Sequence, residues 1–227
     1  MTEQFATVND NRIISGNICI PFYGIWTALV ILATSATINP SITLKIANLT
    51  MKGTAYRMAS FSGSRSVLIV GGKAGWRDQI SEQSYYNTNG LKKSLLLRDA
   101  ASAVGESINL GFDDVIGTHY IRESAVAERT LRDIAGDVWW MDNNGVTQVK
   151  DRTNFAKITS EFTVANWSGA KGKFEIATED VASFMPARTF TSPTVTSLQT
   201  ISLTSIVVDN SGKLRLEVLS VGHENEG

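Results

Sequence analysis

The chain has 227 residues, of which 43% are hydrophobic and 19% are charged, and this length suits one large or two to three small domains. Its formal net charge is −1 and no run of Lys or Arg stands out. A nucleic-acid-binding protein is not expected, because such proteins gain most of their affinity from basic patches. The single cysteine, Cys19, allows no disulfide within the chain and lies in an apolar run, which suits a small buried side chain.

The N-terminal segment predicts neither export nor membrane insertion. A secretory signal starts with a basic region, which is followed by an apolar stretch and a cleavage site. The segment that starts at residues 1–5 does not show this pattern, so a secretory signal is not expected. Residues 13–44 carry no charge and are long enough for a membrane helix. Pro21 and Gly24 interrupt this run, which is rich in Ile, Val, Thr and aromatic residues. Such residues favour strands, so no integral membrane segment is expected.

Residues 1–86 are predicted to form a first β domain. Short apolar runs predict strands at 13–21, 24–34, 41–49, 54–61 and 66–70. Turn signals rich in Gly, Asn, Ser and Pro separate these runs. Short strands at this spacing are typical of a barrel or a sandwich.

The hydrophobic period changes in residues 87–150, which are predicted to form a small α/β module. A first helix is expected to end at Gly105, and its apolar face consists of Leu91, Leu95, Leu96, Ala100 and Ala103. A second helix is predicted from Ser124 to Gly136, and its apolar face consists of Ala127, Leu131, Ile134 and Ala135. The turn Asn143-Asn144-Gly145 then predicts a hairpin between 138–142 and 146–149.

Residues 151–227 are predicted to form a second β domain, with strands at 156–165, 173–178, 190–195, 201–208 and 214–221. Residues 189–208 carry no charge, and an open edge there would template pairing with another chain. The polar tail, residues 223–227, contains His223.

The sequence lacks the motifs of a cofactor or metal site. Residues 71–75 contain three glycines, but neither the spacing of a dinucleotide loop nor that of a Walker loop, so a turn that glycine permits is expected. His119 and His223 are the two histidines, and with one cysteine they are too few for a zinc site. We therefore expect no catalytic, cofactor-binding or metal-binding residues, and no cofactor.

A hydrolase remains an alternative function, because four carboxylates lie close to His119 in the sequence: Glu106, Asp113, Asp114 and Glu123. A pair of them could in principle supply the acid and base of a glycosidase. No Gly-x-Ser-x-Gly elbow accompanies His119. A solvated turn is the simpler interpretation of Asp113 and Asp114, and an ordinary hydrogen-bonding role is the simpler interpretation of His119.

Trp26, Trp76, Trp139 and Trp140 lie in or beside predicted strands. Core packing is the expected role, and an exposed binding platform is the alternative. Trp139 and Trp140 are consecutive, so in a strand their side chains face opposite sides. One of them should then pack against another element or a partner.

Short motifs follow one another along residues 13–220. In chain order they are Ile14-Ser15-Gly16-Asn17-Ile18, Pro21, Gly24-Ile25-Trp26, Val70-Gly71-Gly72, Gly75-Trp76-Arg77, Tyr85 or Tyr86, Asn89-Gly90-Leu91, Leu96-Leu97-Arg98-Asp99-Ala100-Ala101, Gly105-Glu106, Gly117, Tyr120-Ile121-Arg122, Leu131-Arg132-Asp133-Ile134, Trp139-Trp140-Met141-Asp142, Gly145-Val146-Thr147, Pro186 and Leu214-Arg215-Leu216-Glu217-Val218. In this order they resemble tail or baseplate hub proteins of long-tailed bacteriophages. The chain departs from that family at Ala187, where a glycine is frequent, and it is shorter than the large T-even-type hubs.

The resemblance implies a mainly β fold with a small α/β insertion, in which two tube-like β-barrel domains (1–86 and 151–227) flank a two-helix module (87–150). It implies a structural virion protein of the tail or baseplate, assembled in the host cytoplasm, and not an enzyme. Three chains would form a ring that adapts the sixfold tail tube to the threefold central spike. The implied partners are two further copies, tail tube or distal tail proteins, the spike protein and the tape-measure protein.

In such a ring, DNA passes through the lumen without specific nucleic-acid binding. The charge-free stretches 25–38 and 189–208 are our candidates for subunit contacts, and a role as internal barrel strands is equally open. Two other functions remain as alternatives: a β-rich module that binds glycans or a cell surface, and a cell-wall hydrolase.

Overall fold

The N-terminal strands close into a barrel. The computed structural model describes residues 6–34, 37–153, 155–211 and 213–222, and its first six strands are β1 (Ala6–Val8), β2 (Asn11–Pro21), β3 (Thr27–Leu32), β4 (Ser41–Ile46), β5 (Leu49–Phe61) and β6 (Ser64–Gly71). They pair in the order β1-β4-β5-β6-β3-β2, and β1 also pairs with β2, which closes the ring. Buried and exposed residues alternate along the strands, which gives the barrel an apolar inner face. On β4, for example, Ile42 and Leu44 are buried while Ser41 and Lys45 are exposed.

Aliphatic side chains fill the interior of the barrel. Each of the six strands contributes a residue that is 0% exposed: Val8, Ile18, Val30, Leu44, Met51 and Val67. A six-stranded barrel is narrow enough for such side chains to meet at its axis. The barrel is therefore a packed core and not a channel.

Residues 79–149 form the α/β module. Its elements are β7 (Gln79–Ile80), β8 (Gln83–Lys92), α1 (Lys93–Ala103), β9 (Ile108–Leu110), β10 (Val115–Arg122), β11 (Ala125–Val126), α2 (Ala127–Ala135), β12 (Trp140–Met141) and β13 (Thr147–Val149). β8 and β10 form a two-stranded ribbon, β7 pairs with β11, and β13 pairs with both β12 and β9. The helices contact each other, and no helix in the described part of the chain is long and apolar enough to cross a membrane.

The C-terminal strands continue the barrel sheet from β2. They are β14 (Thr163–Ser168), β15 (Lys173–Ala177), β16 (Thr189–Phe190), β17 (Gln199–Val208) and β18 (Leu214–Gly222). β17 pairs with β2, and the sheet then runs through β18 and β15 to β14, while β16 pairs with β17. Phenylalanine rings pack inside this C-terminal strand set, with the centroids of Phe174 and Phe190 5.3 Å apart. One eleven-stranded sheet thus joins both ends of the chain.

The predicted fold class, mainly β with a small two-helix module, is confirmed. The predicted face of the first helix is wrong in part: Leu95 is 50% exposed and Ala103 is exposed, whereas Leu97 and Ala101 are buried. The reason is that Leu91 belongs to β8, so its spacing crosses a strand–helix boundary. The second helix begins at Ala127 and not at Ser124, because residues 125–126 first pair with β7.

Two of the strands predicted in the C-terminal domain differ from expectation, and six strands were not predicted: β1, β7, β8, β9, β10 and β11. In place of 156–165 the strand runs from Thr163 to Ser168, and of 190–195 only Phe190 belongs to a strand, β16. The ribbon of β8 and β10 was not predicted, because its buried and exposed residues do not alternate regularly and the apolar residues Val115 and Ile121 are exposed. The tail residues 223–227 lie outside the described residues.

Two leucines on β3 test the barrel core. Leu32 is 0% exposed and Leu29 is 56% exposed. Leu32→Ala should lower the free energy of unfolding by about 2–5 kcal/mol, because it leaves a cavity in a packed interior. Leu29→Ala is the matched control and should stay within about 0.5 kcal/mol of the wild type. Urea denaturation measures both, and equal losses would contradict the placement of β3.

Candidate functional site

Residues from separate sequence motifs meet where the module joins the barrel. The Gly24 amide donates to the Trp139 carbonyl at 2.7 Å, and the Met141 amide donates to the Gly24 carbonyl at 3.0 Å. Beside them, a Cβ on Gly71 would lie 2.6 Å from Nε1 of Trp26, so a larger residue does not fit. These contacts hold β12 against the end of the barrel.

The glycine loop that follows β6 binds a carboxylate of the protein itself. The backbone amides of Lys73 and Gly75 donate to Oε1 of Glu106 at 3.0 and 2.8 Å. Gly72 adopts a φ of +72°, and a Cβ on Gly75 would lie 2.1 Å from the Val104 carbonyl oxygen. Converging amides of this kind form an anion-binding concavity. Here Glu106 occupies it, in agreement with the predicted turn.

Glu106 is only 7% exposed. Burial raises the pKa of its carboxyl group, and the amides of Lys73 and Gly75 offset part of that rise. Next to the loop, the buried indole of Trp76 donates to Oγ1 of Thr147 at 2.7 Å. The loop therefore fastens the end of α1 and strand β13 to the barrel.

A second polar cluster fastens the ribbon to α1. The guanidinium of Arg122, whose side chain is 4% exposed, donates to Asp99 Oδ2 at 2.8 Å and to the Tyr85 hydroxyl at 2.9 Å. The Tyr85 hydroxyl also donates to Asp99. Burial and the bond to Asp99 raise the pKa of Tyr85. Tyr85, Asp99 and Arg122 come from three of the sequence motifs, so this cluster gives those motifs a structural role.

The candidate hydrolase residues occupy separate places. His119 is exposed on β10, where its ring meets that of Tyr86 at a centroid distance of 6.4 Å. Asp113 accepts from Lys92 at 2.5 Å and from the Ser94 hydroxyl. Glu123 pairs with Arg129 at 3.1 Å, and Asp114 is exposed. His223 lies outside the described residues, and within them no cluster of His, Cys, Asp and Glu is arranged to hold a metal ion.

Core packing of the predicted tryptophans is confirmed for three of the four. Trp26, Trp76 and Trp139 are at most 3% exposed. Trp140 faces the other way and is half-buried beneath Arg152, whose guanidinium carbon lies 4.2 Å from the ring centroid. That guanidinium also donates to the Pro21 and Phe22 carbonyls.

Each charge-free stretch contributes a long strand to the interior of the sheet. β3, from the stretch 25–38, lies between β2 and β6, and β17, from the stretch 189–208, lies between β2 and β18; residues 35–36 are outside the described residues. Their backbones are therefore paired within the chain, and subunit contacts through them would use side-chain faces. Cys19 on β2 is half-buried, and burial raises the pKa of its thiol.

Sequence reasoning missed Trp167. It lies on β14, the strand at the end of the sheet, and its side chain is 47% exposed. Its ring stacks on Phe174 with centroids 6.1 Å apart and an angle of 11°. A groove of about 500 Å³ lies beside it, bounded among others by Lys171 and Gln199. The alternation of β14 is too weak to mark Trp167 as exposed from the sequence.

Solved structures share this fold at low sequence identity. The E. coli c3393 protein, a component of the type VI secretion system that exhibits structural similarity to T4 bacteriophage tail proteins gp27 and gp5, matches with a TM-score of 0.70 and 9% identity over 97% of this chain and 77% of that chain. A tail protein from Neisseria meningitidis MC58 matches with a TM-score of 0.66 and 12% identity over 96% of each chain. A tail protein of prophage MuSo2 from Shewanella oneidensis gives 0.57 and 9% over 95% of this chain and 97% of that one.

No protein-family model and no curated protein sequence matches the chain. The structural likeness nevertheless extends over almost the whole chain. The chain therefore has the fold of phage tail proteins, and the resemblance seen in its sequence motifs is confirmed at the level of the fold.

Glu106→Ala tests the carboxylate in the glycine loop. It leaves the Lys73 and Gly75 amides without their acceptor, so the free energy of unfolding at pH 7 should fall by about 1–3 kcal/mol. Glu82→Ala, at an exposed position without a hydrogen-bond partner in the described residues, is the matched control and should change it by less than about 0.5 kcal/mol. Urea denaturation separates the two, and a neutral Glu106→Ala would refute the role of the loop.

The raised pKa of Glu106 also predicts a pH dependence. The unfolded chain releases this proton near the ordinary value of 4.5, whereas the folded chain releases it at higher pH. The wild type should therefore lose stability relative to Glu106→Gln as the pH rises from 4.5 through the raised pKa, and the difference should then level off. Denaturation of both proteins across this range checks the sign, and a difference that grows in favour of the wild type would contradict it.

Proposed function

We propose that this protein is a structural component of a phage tail or baseplate, where it serves as a hub. The observation that carries the proposal is the fold, which matches two tail proteins and a tail-related secretion component over at least 95% of the chain. Because these matches are at most 12% identical, they support the architecture of the chain. The trimeric assembly is our inference from that architecture.

The proposed assembly is a trimeric ring that adapts the sixfold tail tube to the threefold central spike. Each chain supplies two β units that share strand β2, the closed barrel and the C-terminal strand set. Three chains would thus present six units, which fits both symmetries. Because side chains fill the interior of the closed barrel, the lumen for the tape-measure protein and DNA would lie between units and not inside one.

The remaining parts of the proposal follow from the hub role. We propose three units close to the predicted limits of 1–86, 87–150 and 151–227, with the first limit moved to residue 78 so that β8 stays whole. We also propose a location in the virion tail or baseplate after assembly in the host cytoplasm, and contacts with tail tube or distal tail proteins and with the spike. A structural role rather than catalysis is supported by Glu106, Asp113 and Glu123. Each of these carboxylates is engaged in a local contact of its own.

The mass of the purified protein in solution tests the ring. Light scattering on a sizing column, without detergent, should give three times the chain mass of 24.7 kDa. A compact monomer at every concentration would contradict self-assembly as a trimer. The same column run after mixing with a spike protein would then show whether assembly depends on the neighbour.

A glycan-binding module is the second candidate, and Trp167 is the observation that favours it. A half-exposed aromatic ring beside a groove with amide and hydroxyl groups suits the apolar face and the hydroxyls of a sugar. Trp167→Ala should then abolish adsorption to a carbohydrate matrix while leaving the sizing profile unchanged. Unchanged adsorption, or none in the wild type, would remove this candidate.

A further inference from the structure

The charge of the chain is divided unevenly between its parts. Residues 6–77, the barrel and the glycine loop, contain seven Lys and Arg residues and one acidic residue, Asp10, for a net charge of +6. Residues 78–149, which contain the α/β module, hold six basic and eleven acidic residues, for a net charge of −5. The net charge of the whole chain, −1, does not reveal these opposite charges of the two parts. Such asymmetry indicates an electrostatic partner.

Part of the basic charge lies where β5 extends beyond the barrel sheet. β5 pairs with β4 as far as Thr54, and in residues 56–61 its pairing within the described chain is with β6 alone. A register shift between Ala55 and Arg57 places a bulge at Tyr56. Within the described residues no other strand pairs with the outer edge of this segment, so its backbone donors and acceptors can pair with a strand of another chain.

The side chains on this segment are of the types that form interface cores. Tyr56, Met58 and Phe61 are 38%, 40% and 48% exposed. The guanidinium carbons of Arg57 and Arg77 lie 5.6 and 5.2 Å from the Tyr56 ring centroid. Aromatic residues, Met and Arg are enriched in protein interfaces. We define the basic edge as Tyr56, Arg57, Met58, Phe61 and Arg77.

Among the described residues, no carboxylate forms an ion pair with the basic edge. Arg57 and Arg77 are exposed and take part in none of these ion pairs. The same holds for Glu82 and Asp137 in the module. Each chain thus displays two exposed surfaces of opposite charge that do not satisfy each other.

We propose that the basic edge of one copy binds the acidic α/β module of a second copy, head to tail. The inference rests on the proposed ring and gives its subunit contact a direction, because a heterologous contact closes into a ring when its rotation allows. Opposite charges steer such an encounter and set its orientation. Exposed Met58 and Phe61 and the open strand edge favour a protein occupant over nucleic acid, whose backbone offers neither apolar contact nor strand pairing.

Charge reversal tests the basic edge. Arg57→Glu/Arg77→Glu is compared with Lys171→Glu/Lys213→Glu, a matched control that makes the same charge change at exposed lysines of the C-terminal strand set. Light scattering over a concentration series should show the control assembling like the wild type. The basic-edge variant should need about tenfold more protein or higher to assemble, and salt should weaken wild-type assembly. Circular dichroism confirms that each variant folds.

A reciprocal variant makes the test specific. Glu82→Lys/Asp137→Lys should be impaired in the same way alone. At a concentration where neither variant associates alone, mixing it with Arg57→Glu/Arg77→Glu should give dimers with one copy of each variant, because the reversed charges match between unlike variants. The ring of three is not expected to close, because a third copy would bring like charges together at one contact. Failure of the mixture to associate would overturn the pairing of these two surfaces.

The remaining outcomes separate this contact from the ring. A basic-edge variant that still forms trimers like the wild type overturns the contact and leaves the proposed hub intact. A wild type that stays monomeric at low salt overturns both this contact and the self-assembled trimer. If the variant loses retention on duplex DNA while self-association is unchanged, the basic edge binds phosphate and the proposal is wrong.

Discussion

Strand β2 is the element on which both β units depend, because its two edges are shared among three partners. One edge pairs with β3, while the other pairs with β1 at residues 11–12 and with β17 at residues 16–21. A slip of one residue would turn Ile18 and Ile20 out of the core and disturb both units at once. At the crowded centre, a Cβ on Gly16 would lie 2.8 Å from the Leu29 carbonyl oxygen. The closed barrel and the C-terminal strand set are thereby joined in one sheet.

The module attaches to this sheet through specific polar contacts as well as through apolar side chains, which form one core cluster with those of the barrel. Glu106 lies in the cradle of loop amides, and Gly24 bonds to the strand that carries Trp139 and Met141. Within the module, Arg122 joins the ribbon to α1. Buried polar contacts of this kind are costly unless fully satisfied, so they favour a single arrangement. An acidic module thus sits at one end of a basic barrel, and this polarity underlies the proposed head-to-tail contact.

Much of the sheet could be predicted because buried Ile, Val and Leu alternate with polar residues, as in β4 and in the first part of β18. The ribbon of β8 and β10 could not, since its exposed strands lack that alternation. The order of short motifs indicated the fold, but it did not show which contacts those motifs make. The amides of Lys73 and Gly75 donate to Glu106 about thirty residues away, and no local sequence pattern encodes that contact. The charge asymmetry is readable in the sequence, yet a net charge summed over the whole chain cancels it.

The proposed ring is tested most directly by electron microscopy of the purified protein. Class averages should show a closed ring of six β units around a central lumen, with threefold symmetry imposed by three chains. A particle of one chain without a lumen, or open filaments in place of a ring, would contradict the hub assembly. The fold would stand in either case, because it rests on the pairings of β2 and not on the partners of the chain.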